Sequence, residues 1–297
     1  MRLAAVTKHS ALVLFLTIAP LSVVASGVSG CAPAKVDSPL NYTQDAKRAY
    51  DEAFIEFQAH NWLESQLLFR EVKRKYVYSR YARLAELRIA DADFEQEKFT
   101  EAVRGYRAFI HDHRSDTEDV SYARSRIAEA QFQQIGDSFL LPSADDRDQA
   151  IILDAYRELR QYLLDYPEAK ESKRIQKLLS EVTGRLVRHE LHVARFYLKR
   201  DNYEAAVLRV QYALRTYSPI HFAGERAKSQ TKNPESDLAI VSSGLEAEAL
   251  LLLGEVYLQM HKWEDARDTF TTILRSYGDS PLSVQAKSYL AFLERRG

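Results

Sequence analysis

The stretch "LGEVYLQMHKWEDARDTFTTILRSY", Leu253–Tyr277, decides the fold. Trp263 stands nine residues after the small Gly254 and three before the small Ala266, with Phe270 and Tyr277 seven and fourteen residues further on. Offsets of 3, 7, 10 and 14 fall on one face of an α-helix, so Trp263 opens a helix with a single apolar stripe. Gly254 then lies in a preceding helix, at a point where two helices can cross closely. Three other stretches keep the same register: "NWLESQLLFREVKRKY" (61–76), "KFTEAVRGYRAFIHDH" (98–113) and "NYEAAVLRVQYALRTY" (202–217). Their aromatics are Trp62, Phe99 and Tyr203, followed three residues later by Ser65, Ala102 and Ala206. Phe69, Tyr106 and Val210 hold the position of Phe270, and Tyr76, His113 and Tyr217 that of Tyr277. Ala53, Ala90 and Ala194 hold that of Gly254.

A small residue in one helix, an aromatic opening the next and a small residue three later form the tetratricopeptide signature. A fifth copy, "ILDAYRELRQYLLDYP", fits through Ile152, Ala155, Leu159 and Tyr166, its first helix set apart by the loop "LLPSADDRD". Such helix pairs cannot bury their apolar faces alone, and stacking them builds one continuous core. The expectation is an all-α tetratricopeptide-repeat solenoid of about five helix pairs plus a C-terminal capping helix. Ser280-Pro281 starts the cap, and Leu290 and Leu293 pack it back onto the core. About three repeats occupy 43–167 and about two occupy 168–297. A polar, proline-bearing insert at 218–242 interrupts the second group, as either a loop or a partner-binding element.

The N-terminus carries a different message. Met1–His9 has Arg2 and Lys8 and no acid, Ala11–Ala25 is almost wholly apolar, and small residues lead to Cys31, the only cysteine in 297 residues. A positive head, a short apolar middle and a small-residue tail make a secretory signal. The middle, about 15 residues long, is short of the roughly 20 needed to span a bilayer. Val28-Ser29-Gly30-Cys31 resembles the bacterial lipobox, whose cysteine thiolate takes the lipid and becomes the first residue after cleavage. Residues 1–30 thus form a removed lipoprotein signal and 31–42, with Pro33 and Pro39, a lipidated tether without helical period. Losing Arg2 and Lys8 leaves 39 of 41 basic residues against 42 acidic ones, a formal charge of −3. There is no basic excess for nucleic acid.

No stretch carries a catalytic constellation. His111-Asp112-His113 reads as a polar helix end, and His189 and His192 lack the spacing of a zinc peptidase motif. Asp145–Asp148 lacks the glycine and terminal Glu of a calcium loop. No cofactor and no metal are implied, and the chain reads as not an enzyme. The positions where acid-binding tetratricopeptide grooves carry Lys and Asn are here Tyr50 and Phe54, Leu87 and Asp91, Leu191 and Arg195, and Leu251 and Glu255. Tyr50, Phe54 and Phe57 put three aromatics on one face of a helix. Some belong to the core; any that face the groove suit an apolar or aromatic peptide better than a polyacidic one.

The lipobox, the short tether and five repeats resemble the BamD family, lipoprotein subunits of the bacterial β-barrel assembly machinery. "YSRYARLAELRIADADF", "DDRDQAIILDAYRELRQYLLDYP" and "ARFYLKRDNYEAAVLRVQYALRTYS" carry the likeness from about Tyr42 through Tyr217, and more loosely to the end. Tyr76-Val77 and His113-Arg114 depart from the family's Tyr-Pro and His-Pro. The resemblance implies a non-enzymatic scaffold, lipid-anchored through Cys31 to the periplasmic face of the outer membrane; Ala32, where an Asp would retain it in the inner membrane, agrees. It implies that the N-terminal repeats recognise unfolded outer membrane proteins through C-terminal signals that often end in an aromatic. It implies that the C-terminal repeats dock on a POTRA domain of BamA, with Arg209 at the position of a contributing arginine, and allows other lipoproteins of the machinery as partners. A different tetratricopeptide lipoprotein, scaffolding peptidoglycan-synthesis or cell-division proteins or regulating an envelope enzyme, is the alternative.

Overall fold

The computed structural model describes residues 39–115, 117–135, 149–218 and 242–295. Every regular element among them is a helix: α1 (Pro39–Gln58), α2 (Trp62–Lys75), α3 (Arg80–Glu95), α4 (Phe99–Asp112), α5 (Thr117–Gln133), α6 (Ala150–Asp165), α7 (Ser172–Leu198), α8 (Tyr203–Tyr217), α9 (Glu246–Gln259), α10 (Trp263–Ser276) and α11 (Leu282–Glu294). Each helix packs on its neighbour in sequence, giving five antiparallel pairs and a final cap. The first helices of successive pairs also touch, α1 on α3, α5 on α7 and α7 on α9. They line the inner side of the stack, as expected where each pair rotates slightly on the last.

The repeated positions are the core. Ser65, Ala102, Ala206 and Ala266 are fully buried, as are Phe69, Tyr106, Val210 and Phe270. Ala53, Ala90 and Ala194 are buried where the helices of a pair cross. At the corresponding Gly254 a Cβ would fall 2.5 Å from the Phe270 ring, so any side chain at this crossing forces the ring to move. The turn inside four of the pairs is also one device repeated. His60, Glu97, Asp201 and His261 each take φ between 56° and 61°, two residues before the opening aromatic. Around His60 the bonds run from His60 N to Phe57 O (3.1 Å) and from Asn61 N to Glu56 O (2.9 Å). That is the Schellman closure, usually built on glycine. Tyr76, His113, Tyr166 and Tyr277 then cap the second helices, each N–H reaching the carbonyl four residues back.

Two expectations change. Helix α1 begins at Pro39, inside the stretch read as tether. Proline breaks a helix interior but is tolerated in the first turn, where its missing N–H has no intrahelical partner. The core is not one continuous body either. The buried side chains form one cluster in the first pair that takes in Ala85 of α3, one from Leu87 to Ala130 that spans α3 to α5, and one running from Ala128 and Ile152 to Leu293. Polar contacts take over between them: Gln66 Nε2 donates to Ile89 O (3.1 Å) and Asp93 Oδ1 (2.7 Å), and Lys73 pairs with Glu86 at 2.8 Å. The cap forms as expected, with Leu293 buried and Leu290 packed against the core. Tyr289 OH ties it to α9 by donating to Glu255 Oε1 at 2.9 Å. Cys31, Asp145–Asp148 and the insert at 218–242, apart from its flanking serines, lie outside the described residues.

Candidate functional site

The helical spacing of Tyr50, Phe54 and Phe57 brings their rings into a stack along α1. Successive centroids are 6.1 and 5.9 Å apart and nearly parallel, at 10° and 6°. All three are half-buried. Tyr50 leans on Phe69 (5.4 Å) and Tyr81 (5.7 Å), so one side of the stack belongs to the core. Phe57 turns toward the second helix, edge-on to Trp62 at 5.1 Å, and helps to close the pair. Tyr50 and Phe54 instead meet a residue of the next repeat, Arg88 of α3. Its Nε donates to Tyr50 OH (3.3 Å), and its guanidinium carbon lies 5.9 Å from the Phe54 ring centre and 5.6 Å from that of Tyr122 on α5.

Asp91, one turn beyond Arg88, is the hub that fixes this arrangement. It is 2% exposed. Its carboxylate pairs with Arg88 Nη1 and accepts from Tyr106 OH (2.5 Å) and Tyr122 OH (3.0 Å). Arg126 continues the chain of contacts: Nε donates to Tyr106 OH (3.3 Å), and the guanidinium pairs with Glu95 (3.0 Å) and Glu129 (3.1 Å) while lying 3.7 Å from the Phe94 ring centre. Glu129 also pairs with Arg174 at the start of α7. One polar ladder therefore crosses four successive first helices. Burial lowers the Arg88 and Arg126 pKa values, but Asp91 and the tyrosine oxygens more than offset it, and both end above the ordinary range. Burial, with Asp91 adding to it, holds the Tyr106 and Tyr122 hydroxyls protonated well above the ordinary tyrosine range. Both therefore stay donors. Burial also raises the Glu129 carboxyl, against the pull of Arg174 and Arg126.

Beside the ladder, Leu87, Arg88, Tyr122, Asp165, Pro167 and Lys170 line part of an open cleft of about 700 Å³ between α3, α5 and the α6–α7 turn. It offers aromatic faces beside Arg88, which is held by Asp91, and a rim that carries Lys170 together with Glu118, Asp119, Asp165, Glu168 and Glu171. Such a lining can hold an extended peptide with an aromatic side chain. The other groove positions divide between core and surface. Leu87, Leu191 and Leu251 are buried, whereas Arg195 pairs with Glu248 across α7 and α9. Arg209 on α8 is 44% exposed at its side chain, and its Nη1 donates to Glu190 Oε2 of α7 at 3.3 Å. It is thus positioned by its own pair while still open to a partner. His113 Nε2 meets Glu86 at 3.2 Å. Among the described residues no cluster of three His, Cys, Asp or Glu side chains could hold a metal ion, and no helix is long and apolar enough to cross a membrane.

A family model described as an outer membrane lipoprotein, YfiO, matches residues 42–236. The chain belongs to the YfiO family. A separate tetratricopeptide-repeat match covers 248–280, the Gly254 to Tyr277 copy. Curated relatives of this YfiO-family chain include two named outer membrane protein assembly factor BamD. The one from Neisseria meningitidis serogroup A is 26% identical over 204 residues, covering 67% of this chain and 76% of the relative. The one from Caulobacter vibrioides is 27% identical over 238 residues, covering 78% of this chain and 72% of the relative. The YfiO match begins at residue 42 and runs past Tyr217 into the insert.

Proposed function

We propose that this chain is a non-enzymatic, lipid-anchored scaffold of outer-membrane β-barrel assembly. The observation that carries the reading is its likeness, over two thirds or more of its length, to relatives named outer membrane protein assembly factor. In this reading Cys31 carries the lipid and holds the solenoid at the periplasmic face of the outer membrane. The Tyr50–Phe54 stack, Arg88 and the adjoining cleft receive the aromatic C-terminal segments of unfolded outer membrane proteins. Ring faces accept the aromatic side chain. The C-terminal repeats dock on a POTRA domain of BamA, with Arg209 in the contact.

Co-purification from detergent-solubilised outer membrane tests this. The lipidated chain is expected to bring down BamA, and Arg209→Glu to reduce the recovered BamA at least tenfold, as befits reversal of an interface charge. Recovery of the chain without BamA would reject the docking. Undiminished recovery with Arg209→Glu would reject the role of that residue alone.

A further inference from the structure

The segment "KRKYVYSRYAR", residues 73–83, contains Lys73, Arg74, Lys75, Arg80 and Arg83, three tyrosines and no acid. It ends α2, turns and starts α3. At the turn the apolar side chains face solvent: Val77 is 63% exposed and Tyr78 is 96% exposed, the most open large hydrophobic residue among the described residues. Arg74, Lys75 and Arg80 around them are exposed as well. The turn itself is held firmly. Tyr76 is buried and caps α2, Ser79 N donates to Tyr76 O (2.8 Å), and the Ser79 hydroxyl accepts from Tyr81 N (3.2 Å) to cap α3. Lys73 is turned toward Glu86, Lys75 Nζ lies 5.2 Å from the Tyr76 ring centre and the Arg80 guanidinium 5.6 Å from that of Tyr81. The acids acting on Lys75, Glu71 and Asp45, belong to the helices and not to the turn.

This turn lies at the end of the solenoid from which the anchored segment leaves. Tyr42, in the first turn of α1, meets Tyr76 edge-on with ring centres 5.4 Å apart. Only seven residues lie between Cys31 and Pro39, so the anchor, eight Cα–Cα steps away, cannot lie more than about 28 Å from the start of α1. A rigid tip with an exposed tyrosine, an aliphatic neighbour and several cations, and no acid of its own, matches the chemistry of an anionic lipid surface. Aromatic residues settle at headgroup depth, and Lys and Arg near such a surface are drawn to its negative charge. We propose that the α2–α3 turn, with Val77 and Tyr78 at its tip and Arg74, Lys75 and Arg80 around it, rests on the anionic phospholipid headgroups of the membrane to which the chain is tethered. This contact rests on the lipid-anchored reading for its setting, and it gives the first repeat a second point of attachment. The inner face of the solenoid is thereby oriented with respect to the bilayer instead of swinging on the tether.

Vesicle flotation separates the contact from the anchor. The mature chain starting at residue 31 with Cys31→Ser, which carries no lipid, is expected to float with phosphatidylglycerol-containing vesicles and not with pure phosphatidylcholine, and to be released by salt. The variant also carrying Val77→Ser, Tyr78→Ser and Arg80→Gln, all at exposed positions, is expected to lose at least tenfold in bound fraction with an unchanged unfolding midpoint. Equal flotation of the two chains, or none by either, would overturn the proposal. Mass spectrometry of the native chain reports lipid on Cys31 independently, so failure of the anchor is not mistaken for failure of the contact.

Discussion

Replacing Asp91 by alanine is expected to destabilise the N-terminal repeats by about 3 kcal/mol. Removing one partner of a buried ion pair costs roughly 3–5 kcal/mol, because the other charge is left behind. Here the lower end applies: the Arg88 side chain is 26% exposed and can turn partly to water. Tyr106 cannot, being fully buried with its hydroxyl on the Asp91 carboxylate. Asp91→Asn keeps an acceptor and the volume, and is expected to cost about half as much, since a net hydrogen bond to a charged group contributes roughly 1.5–3 kcal/mol. The location of the loss matters as much as its size. The first pair shares a small core with Ala85 of α3, the second shares one with α5, and the ladder runs across both and on to α7. In a repeat protein, weakening one interface lets the two sides unfold separately. Urea unfolding of Asp91→Ala should therefore show an early transition of smaller amplitude, with the C-terminal repeats melting near the wild-type midpoint. A single transition shifted by less than about 0.5 kcal/mol, the range of ordinary surface substitutions, would contradict the role given to the ladder.

The second large effect lies at the other end of the stack. Gly254→Val is expected to cost about 3 kcal/mol, the upper end for over-packing a filled core. A Cβ there would sit 2.5 Å from Phe270 Cε1 and 2.6 Å from Cζ. The ring has little freedom to retreat, since Phe270 is fully buried and stacked on Tyr289 at 4.9 Å. Gly105→Ala is the milder comparison: its Cβ would meet the Ala90 Cβ at 3.0 Å, and a shift of a few tenths of an ångström relieves it. Combining Gly254→Val with Phe270→Leu should recover part of the loss, which thermal unfolding of the single and double variants would show. A Gly254→Val chain as stable as wild type would mean that the α9–α10 crossing is looser than its geometry indicates.

These two sites differ in how far the sequence foretold them. Gly254 was legible because it shares a register with Ala53, Ala90 and Ala194, and periodicity reports any position that packs the same way in every repeat. The aromatic stack was legible for the same reason, from the helical spacing of Tyr50, Phe54 and Phe57. The ladder was not, because its members join different repeats: Arg88 reaches Tyr122 across 34 residues and Asp91 meets Tyr122 across 31. The available signal was the period itself. Polar residues one repeat apart on first helices, such as Arg88 and Tyr122, face each other once the pairs stack. Pro39 misled for a local reason, since a proline that cannot continue a helix can begin one.

The role of a scaffold of barrel assembly is known by what the cell loses without it. Depletion of the protein in its host, followed by quantification of folded, heat-modifiable barrel proteins in the outer membrane, tests it most directly. Porin-like barrels are expected to fall together, by severalfold, while other outer-membrane lipoproteins stay in place. Barrels that continue to assemble at undepleted levels would contradict it.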